Sequence, residues 1–301
     1  MKEQSAKKSK TSLAQYWGVA WIAPAFILLL VFSYYPPIYA LLQAFTDWNG
    51  TTANFVGLDN FKELFADQLF WRSCLTVVIL MFSCMIIGNV CTLILSEVLF
   101  NLKSKRANAV YRFLFVLPAL IPGIVTIMMW GKVILTSQPN GLVNSLLIAL
   151  GLPSCQWFDG ENTVLWSIIV YGFPWVGGTS FLIYLAGLNN IPDSVLEAAK
   201  LDGISAFGRI FKIDLPLIMG QIKYFIVMGI IGGIQGYTIQ YAITNGGPGL
   251  NYTSMVPGYY MYKAAMNDSR YGYSCAVGLV LFVVILAVTL INNKLIKTED
   301  Y

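Results

Sequence analysis

The feature of this sequence that most limits its fold is a series of long stretches without Asp, Glu, Lys or Arg. About 20 mostly apolar helical residues are enough to cross the hydrocarbon core of a bilayer. The 301 residues are 57% hydrophobic and 11% charged, well below the roughly 25% charged residues of a soluble domain. Apolar surface must therefore face lipid, which predicts an all-α integral membrane protein. The uncharged stretches are 11–46, 73–96, 113–131, 133–158, 162–192, 224–262 and 271–293.

Turn-forming residues divide two of these stretches. In 133–158, Pro and Gly signals leave only Leu142 to Leu152 as an apolar piece, which we interpret as an interfacial helix in an external loop. In 224–262, the run of residues 244–249 ends a helix, so one span precedes an outside loop there. Six transmembrane helices are therefore predicted. They lie at about 17–45, 74–96, 111–131, 163–187, 217–243 and 271–293.

Lys and Arg are distributed unevenly between the two sides of these spans. Fourteen lie in the tails and loops on the N-terminal side, and five lie on the opposite side. Cytoplasmic loops are enriched in Lys and Arg, which predicts cytoplasmic tails at 1–16 and 294–301 around a six-span domain, 17–293. The first apolar run is too long and too rich in proline for a cleaved signal peptide, so we interpret it as the first span.

The composition also disfavours several kinds of chemistry. The chain has no histidine, the commonest general base and metal ligand, and its five cysteines form no CxxC pair, so no metal site or disulfide framework is predicted. It has no GxxxxGK[ST] phosphate-binding loop, so any ATP must bind to another subunit. Because it lacks a basic stripe interleaved with aromatic residues, nucleic acid is not a predicted partner. These observations indicate a non-catalytic chain without a cofactor of its own.

The segment 191–216, between the fourth and fifth spans, is predicted to form a helix-turn-helix on the cytoplasmic face. Ser194 and Glu197 match the capping box S-x-x-E at the start of the first helix, and Gly203 provides a left-handed stop. A second short helix carries apolar residues on one face, and a Leu-Pro pair starts the next span. These residues are Phe207, Ile210 and Phe211, followed by Leu215 and Pro216.

The spacing in this loop resembles the EAA loop of ABC importer permeases: Glu-Ala-Ala, three residues, Gly, nine residues, then Ile-x-Leu-Pro. Shorter matches over nearly the whole chain resemble the carbohydrate-uptake branch, and within it the maltose-permease type. In the loop, the matching residues are Glu197, Ala198, Ala199, Gly203, Ile213, Leu215 and Pro216. Elsewhere they are residues 23–25, 45–48, 56–58, 117–118 and 244–248.

This resemblance implies the type I ABC importer permease fold, with a cytoplasmic coupling helix, in a bacterial cell membrane. It further implies a second homologous permease, two ATPase subunits that bind ATP and Mg, and an extracellular solute-binding protein. The expected substrate is a sugar, most simply an oligosaccharide, carried by alternating access. The residues expected to couple to the ATPase are Glu197, Ala198, Ala199, Asp202 and Gly203.

Extending the match without gaps from Glu197 places five residues where the maltose permease has sugar-contacting positions: Trp175, Thr179, Gly229, Gly233 and Gly236. The maltose permease carries polar side chains at the fifth-span positions, where this chain has glycines. We therefore expect a wider cavity, whose lining also includes Tyr237 and Gln240. In the alternative interpretation, Gly229-x-x-x-Gly233 and Gly232-x-x-x-Gly236 only allow two helices to pack closely.

The predicted external loop 246–270 contains tyrosines that either meet the binding protein or anchor the chain at the membrane interface. They are Tyr252, Tyr259, Tyr260 and Tyr262.

Three other functions are compatible with six spans: a permease for glycerol-3-phosphate or another polyol-like solute, an ungated channel, and a membrane enzyme acting on lipid-linked substrates. A channel has no reason to carry an EAA loop. The enzyme is disfavoured because no span carries a carboxylate pair or a His cluster.

Overall fold

The structure, a computed structural model, describes residues 13–244 and 250–295. This part of the chain contains helices and no strand beyond an isolated bridge between Thr46 and Phe55, which confirms the all-α prediction. Most of the two predicted tails, residues 1–12 and 296–301, lies outside the described residues.

The helices are α1 (Leu13–Leu29, continued by the π-helical turn Leu30–Tyr34 and by Tyr35–Gln43), α2 (Asp59–Ala66), α3 (Gln68–Phe100), α4 (Lys105–Val116), α5 (Gly123–Met129), α6 (Leu142–Ala149), α7 (Val164–Val170), α8 (Gly178–Asn189), α9 (Asp193–Leu201), α10 (Ala206–Arg209), α11 (Met219–Gln235), α12 (Thr238–Thr244), α13 (Pro257–Met266) and α14 (Tyr271–Leu295). Shorter helical turns are Leu117–Leu120, Trp130–Ile134, Ile210–Asp214, Leu215–Leu217 and Leu250–Tyr252.

Three continuous helices in the described part are long and apolar enough to cross a membrane: Ala20–Gln43, Gln68–Phe100 and Tyr271–Asn292. They coincide with the first, second and sixth predicted spans. Large apolar side chains cover their outer surfaces; Trp21 and Phe32 of α1 are 83% and 70% exposed. So much exposed apolar surface is compatible with a lipid environment and not with water.

The third and fifth predicted spans are bent. An angle of 89° separates Lys105–Leu120 from Gly123–Ile134, where Ile121 is extended because the residue before a proline is pushed out of the helical region. An angle of 70° separates Ala206–Leu217 from Met219–Gln235. The Leu-Pro pair lies in the helical turn Leu215–Leu217, and α11 begins after the bend, at Met219; the start of the fifth span at about 217 stays a prediction.

Two of the predicted spans are also interrupted by non-helical backbone. In the fourth, residues 171–177 separate α7 from α8. In the fifth, α11 ends at Gln235, the next residue, Gly236, is extended with a ψ of 132°, and α12 starts at Thr238. Since broken helices can make up one span or a re-entrant segment, the number of six spans stays a prediction.

The 33-residue helix α3 is central to the packing. It lies against α8 and α11, while α14 packs against α13, α2 and the Tyr35–Gln43 part of α1. The largest buried cluster joins α3 to α13 and α14; Phe70, Val77 and Tyr259 are among its members. The elements that flank segment 191–216, α8 and α11, are thus both held against the same long helix.

A helix is present where the external apolar piece was predicted, at Leu142–Ala149. The side chain of Asn144 is fully buried and fixes this helix to its neighbours. Its Nδ2 donates to the carbonyl oxygens of Thr136 at 3.1 Å and Cys155 at 3.0 Å, and its Oδ1 accepts from Trp157 Nε1 at 2.9 Å. A polar side chain thereby organises a loop with little apolar core of its own.

Candidate functional site

The cytoplasmic loop predicted from the sequence forms a short helix that ends in a Schellman motif. Gly203 has a φ of +70°, its N–H donates to the carbonyl of Lys200 at 3.2 Å, and the N–H of Ile204 donates to the carbonyl of Ala199 at 3.1 Å. These bonds satisfy the last carbonyls of α9 and reverse the chain. The predicted left-handed stop at Gly203 is confirmed.

The predicted capping box at the start of this helix is wrong. The N-cap residue of α9 is Pro192, and no side chain caps the helix. Ser194 and Glu197 both lie inside the helix, where neither can act as N-cap or N3. A proline in extended conformation starts the helix instead, with Asp193 in the first turn, where a negative charge is favourable.

The residues predicted to couple to the ATPase divide into an outward surface and an inward anchor. Glu197, Ala198, Asp202 and Gly203 are exposed, whereas Ala199 is 4% exposed. The same inward face of α9 also carries Val195 and Leu196, which pack against a buried cluster formed by α8, Ile191 and Ile218. The cluster comprises Tyr184, Leu188, Ile191 and Ile218. The helix is therefore fixed to the bundle while it presents a carboxylate and a small side chain to the outside.

The second short helix adds large apolar side chains to this surface. Phe207 and Phe211 are 77% and 66% exposed, while Ile210 is partly buried. The hydroxyl of Ser205 caps the helix by accepting from the N–H of Gly208 at 3.1 Å. Exposed aromatic residues beside a charged helix are typical of a protein interface.

A second candidate site is a cleft of about 620 Å³ between α3, α8 and α11, open on one side. It brings together three residues predicted to line the substrate path: Trp175, Thr179 and Gly229. Polar groups at its wall are mainly amides and hydroxyls. Its described lining further includes Cys84, Met85, Gly88, Asn89, Thr92, Ala119, Tyr171, Gly172, Val176, Gly177, Gly178, Ser180, Phe225 and Met228.

Trp175 lies in the non-helical segment before α8 with a φ of +58°, which is unusual for a bulky residue. Two hydrogen bonds hold it there: Nε1 donates to the carbonyl of Ile169 at 2.9 Å, and the backbone N–H donates to the carbonyl of Gly172 at 2.8 Å. Its ring packs edge-on against Phe173, with 5.0 Å between centroids. The break in the fourth predicted span thus positions an aromatic side chain at the cleft.

Sequence reasoning missed Asn89, which also lines the cleft. Its Oδ1 accepts from the hydroxyl of the fully buried Tyr184 at 2.7 Å, and its Nδ2 donates to the carbonyl of Met85 at 2.8 Å. The amide is therefore held in one orientation by α8 and by its own helix. The available signal was an amide within the otherwise apolar stretch 73–96.

Two of the fifth-span glycines, Gly229 and Gly233, lie at the contact between α11 and α3. A Cβ on Gly233 would lie 2.5 Å from Met81 Cγ, and one on Gly229 would lie 3.0 Å from Met85 Cγ. A Cβ on Gly236 would lie 2.8 Å from the carbonyl oxygen of Gly232. Close packing, the alternative interpretation, therefore accounts for Gly229 and Gly233, and of the three glycines only Gly229 is part of the described cleft lining.

Tyr237 and Gln240 do not join the other predicted path residues in the described lining of the cleft. The Tyr237 ring stacks on Tyr262, with 5.3 Å between centroids, and Gln240 is 7% exposed. The predicted substrate path is thus divided between the cleft and the region around α12 and α13.

Among the tyrosines of the predicted external loop, Tyr259 and Tyr260 are 3% and 7% exposed. The Tyr260 hydroxyl donates to Asp67 Oδ2 at 2.6 Å, and burial together with this hydrogen bond raises its pKa. Both side chains are therefore part of the buried core and cannot form a docking surface. Tyr252 is partly exposed, and residues 245–249 of this loop lie outside the described residues.

Comparison with known proteins gives consistent matches. Residues 88–298 match the family described as binding-protein-dependent transport system inner membrane component. The probable ABC transporter permease protein YesP of Bacillus subtilis (strain 168) is 34% identical over 288 residues, covering 94% of this chain and 90% of the relative. The multiple sugar-binding transport system permease protein MsmF of Streptococcus mutans is 30% identical over 288 residues, covering 95% of this chain and 97% of the relative.

A solved structure has the same fold. It is a bacterial alginate ABC transporter in complex with an alginate pentasaccharide-bound periplasmic protein, and one of its chains superposes with a TM-score of 0.80 at 23% identity. The match covers 93% of this chain and 94% of that chain. The family resemblance found in segment 191–216 is confirmed by these matches, which extend over nearly the whole sequence. This chain belongs to the family of binding-protein-dependent transport system inner membrane components, the integral membrane permease subunits of ABC transporters.

Proposed function

We propose that this chain, paired with a second homologous permease, imports a sugar delivered by an extracellular binding protein, using ATP and Mg bound to two ATPase subunits. The relative MsmF is named for a multiple sugar-binding transport system, and the solved structure with this fold is complexed with a periplasmic protein. In the bacterial cell membrane, both termini of this chain would be cytoplasmic.

The observation that carries the proposal is the connection between the loop and the cleft. Helix α8 starts at the cleft beside Thr179 and ends at Asn189, three residues before Pro192 starts α9. Twelve helical residues span about 18 Å. On the other side of the loop, α11 reaches the cleft at Gly229. A displacement of the loop therefore moves two walls of the cleft.

Alternating access then follows as a population shift. ATP can favour one arrangement only if the ATPase contacts the loop differently in the inward-open and outward-open states. To shift the ratio of the two states from 1:99 to 99:1, the ATPase must bind one state more tightly than the other by about 5.5 kcal/mol. Glu197 and Ala198 supply part of that contact in this proposal: they are exposed on a helix whose inward face is fixed to the bundle.

The chemistry of the cleft favours a neutral sugar over glycerol-3-phosphate. Its described lining contains no charged side chain, whereas a phosphate group needs Arg, Lys or several N–H donors. Trp175 offers an aromatic face, and Asn89, Thr179 and Ser180 offer amide and hydroxyl groups that suit sugar hydroxyls. The cleft volume, about 620 Å³ without a partner subunit, is compatible with an oligosaccharide.

The test is reconstitution. The chain is expressed with its candidate permease and ATPase partners, purified, inserted into liposomes and supplied with binding protein and labelled sugars of increasing length. ATP-dependent accumulation of sugar that requires all subunits is the expected result. Purification of the chain as a lone oligomer that conducts solute without ATP would contradict the proposal and favour a channel.

A further inference from the structure

Arg209 connects the end of α3 to the segment that follows the coupling helix. Its Nε donates to Asp214 Oδ2 at 2.9 Å, and its Nη2 donates to Asn101 Oδ1 at 2.6 Å. The guanidinium also lies over the Phe100 ring, 5.6 Å from the centroid. Phe100 and Asn101 mark the end of α3, so one side chain bridges residues 108 positions apart in the sequence.

The Asp214 end of the bridge lies in a buried acidic environment, whereas its Asn101 end is exposed. Asp214 is fully buried, Glu97 is 6% exposed and the Arg209 side chain is 15% exposed. The Asn101 amide, which accepts from Arg209, donates to the carbonyl of Glu97 at 2.8 Å. Although no span was expected to carry a carboxylate pair, the structure brings Glu97 and Asp214 into one network.

This arrangement resists separation of the loop from α3. Asp214 Oδ1 is buried without a hydrogen-bond partner among the described residues, and the Arg209 guanidinium is the cation that pairs with this carboxylate through Oδ2. Removing that cation would leave buried charge uncompensated, which is strongly unfavourable. The loop segment and the end of α3 must therefore move together.

The connection leads to the cleft. Asn89 lies twelve residues before Asn101 on the same uninterrupted helix, a distance of about 18 Å. Neither α8 nor α11, the helices directly continuous with the loop, carries this wall of the cleft. Without Arg209, the loop would act on α3 through apolar contacts such as those of Leu93 and Phe100, and indirectly through α8, whose Tyr184 hydroxyl donates to Asn89.

We propose that Arg209 is a positioning residue that fastens the coupling loop to α3, so that movement imposed by the ATPase reaches the Asn89 wall of the cleft. The inference rests on the proposed ATP-driven function. In this proposal, Asp214 on the loop side and Asn101 on the α3 side hold the Arg209 guanidinium in place.

The first test uses the whole reconstituted complex and compares sugar uptake per ATP hydrolysed. Arg209→Lys keeps the charge but cannot bridge two acceptors with a planar fork, and Asp214→Asn keeps the shape but removes the buried charge. Both should assemble and hydrolyse ATP while the uptake-to-hydrolysis ratio falls about tenfold. Lys103→Gln, which removes an exposed charge near Asn101, is the matched control and should leave the ratio unchanged.

The second test distinguishes a bridge that transmits movement from a contact that only stabilises the fold. Asn101→Cys and Arg209→Cys are combined after the five native cysteines have been replaced by serine, and a short bifunctional thiol reagent is added. Uptake per ATP should be low before cross-linking and recover afterwards, because the covalent link replaces the bridge. Failure to recover in cross-linked complexes would overturn the proposal, since the contact would then have to open during transport.

The wild-type complex, tested in parallel, distinguishes failure of the proposed transport function from failure of the role proposed for Arg209. If it shows no ATP-driven uptake, the proposed function itself is contradicted. If it transports and the Arg209→Lys and Asp214→Asn complexes keep its uptake-to-hydrolysis ratio, only the role of Arg209 is refuted. A parallel loss of assembly, hydrolysis and uptake with no recovery on cross-linking would show a merely structural contact and would also refute it.

Discussion

The guanidinium of Arg270 forms a two-pronged ion pair with the carboxylate of Glu63, with Nη1–Oε1 and Nη2–Oε2 distances of 2.7 and 2.6 Å. The contact links α2 to the start of α14 across 207 positions of sequence. The guanidinium also lies 4.2 Å from the centroid of the Tyr273 ring. The hydrogen bonds that Arg270 donates to Glu63 raise the pKa of Arg270, so its guanidinium stays charged in any ordinary buffer.

Arg270→Lys should destabilise the protein modestly, because lysine cannot form the planar two-pronged pair. Both side chains are about half exposed, 45% and 53%, so solvent screening limits the loss to about 0.5–1 kcal/mol. The measurement is unfolding of the detergent-purified complex at low and high salt. Lys62→Gln, which breaks a more exposed pair with Asp59, should have no measurable effect. An equal loss of stability in both variants would contradict a specific stabilising role for the Arg270–Glu63 pair.

Gly203→Leu should weaken association with the ATPase subunits, whereas Gly203→Asn should be better tolerated. At a φ of +70°, any side chain at position 203 strains the backbone by about 1 kcal/mol. It would not clash, because a Cβ would meet nothing within 4 Å among the described residues. Asparagine adopts this conformation more readily than other non-glycine residues. Co-purification of the ATPase measures the effect. Equal losses for Asn and Leu would show that close approach of the partner, and not backbone conformation, makes glycine necessary.

Glu197→Gln should leave folding unchanged and lower ATP-driven uptake. The residue is exposed and caps no helix, so its loss removes no interaction within the described part of this chain that would cost stability. The effect should appear in the binding of the ATPase and in transport. Ser194→Ala serves as a control for the disproved capping box. Normal uptake by Glu197→Gln would remove Glu197 from the coupling surface.

Gly233→Leu should disrupt the contact between α3 and α11, because a Cβ alone would lie 2.5 Å from Met81 Cγ. Overpacking of this kind costs about 1–3 kcal/mol. Thermal unfolding and assembly with the other subunits measure the effect. Gly232→Leu is a matched control one residue away, where a Cβ would meet nothing within 4 Å in the described part of the chain.

Met81→Ala should partly rescue Gly233→Leu, since it removes the side chain that the leucine displaces. Without rescue, the defect must arise elsewhere, and a role of position 233 in the substrate path would have to be reconsidered.

Asn89→Ala should reduce sugar uptake about tenfold if the cleft is the substrate path, because it removes a fixed amide from the wall. Tyr184→Phe should have a smaller effect, since it frees the amide without removing it. Uptake is measured at several sugar concentrations and normalised to the amount of assembled complex. Trp166→Phe, at a 70% exposed position on α7, is the control. Unchanged uptake in Asn89→Ala would exclude this wall of the cleft from the path.

The sequence alone determined the features that depend on local chemistry. The apolar stretches predicted helices because backbone groups in lipid must be satisfied within the segment. The stop at Gly203 was predictable because a helix end with a positive φ depends on the residue itself and on hydrogen bonds only a few positions away. The EAA loop was likewise recognisable from the sequence, because its matching positions all lie within twenty residues.

Tertiary structure decided the features that depend on distant partners. The bend at Ile218 and the break that contains Trp175 were not predicted from the apolar stretches. The packing role of Gly233 depends on Met81, and the orientation of Asn89 depends on Tyr184. No sequence spacing connects Arg209 with Asn101 or Glu63 with Arg270, because these pairs meet only after α3, α2 and α14 have packed and buried the intervening apolar surface.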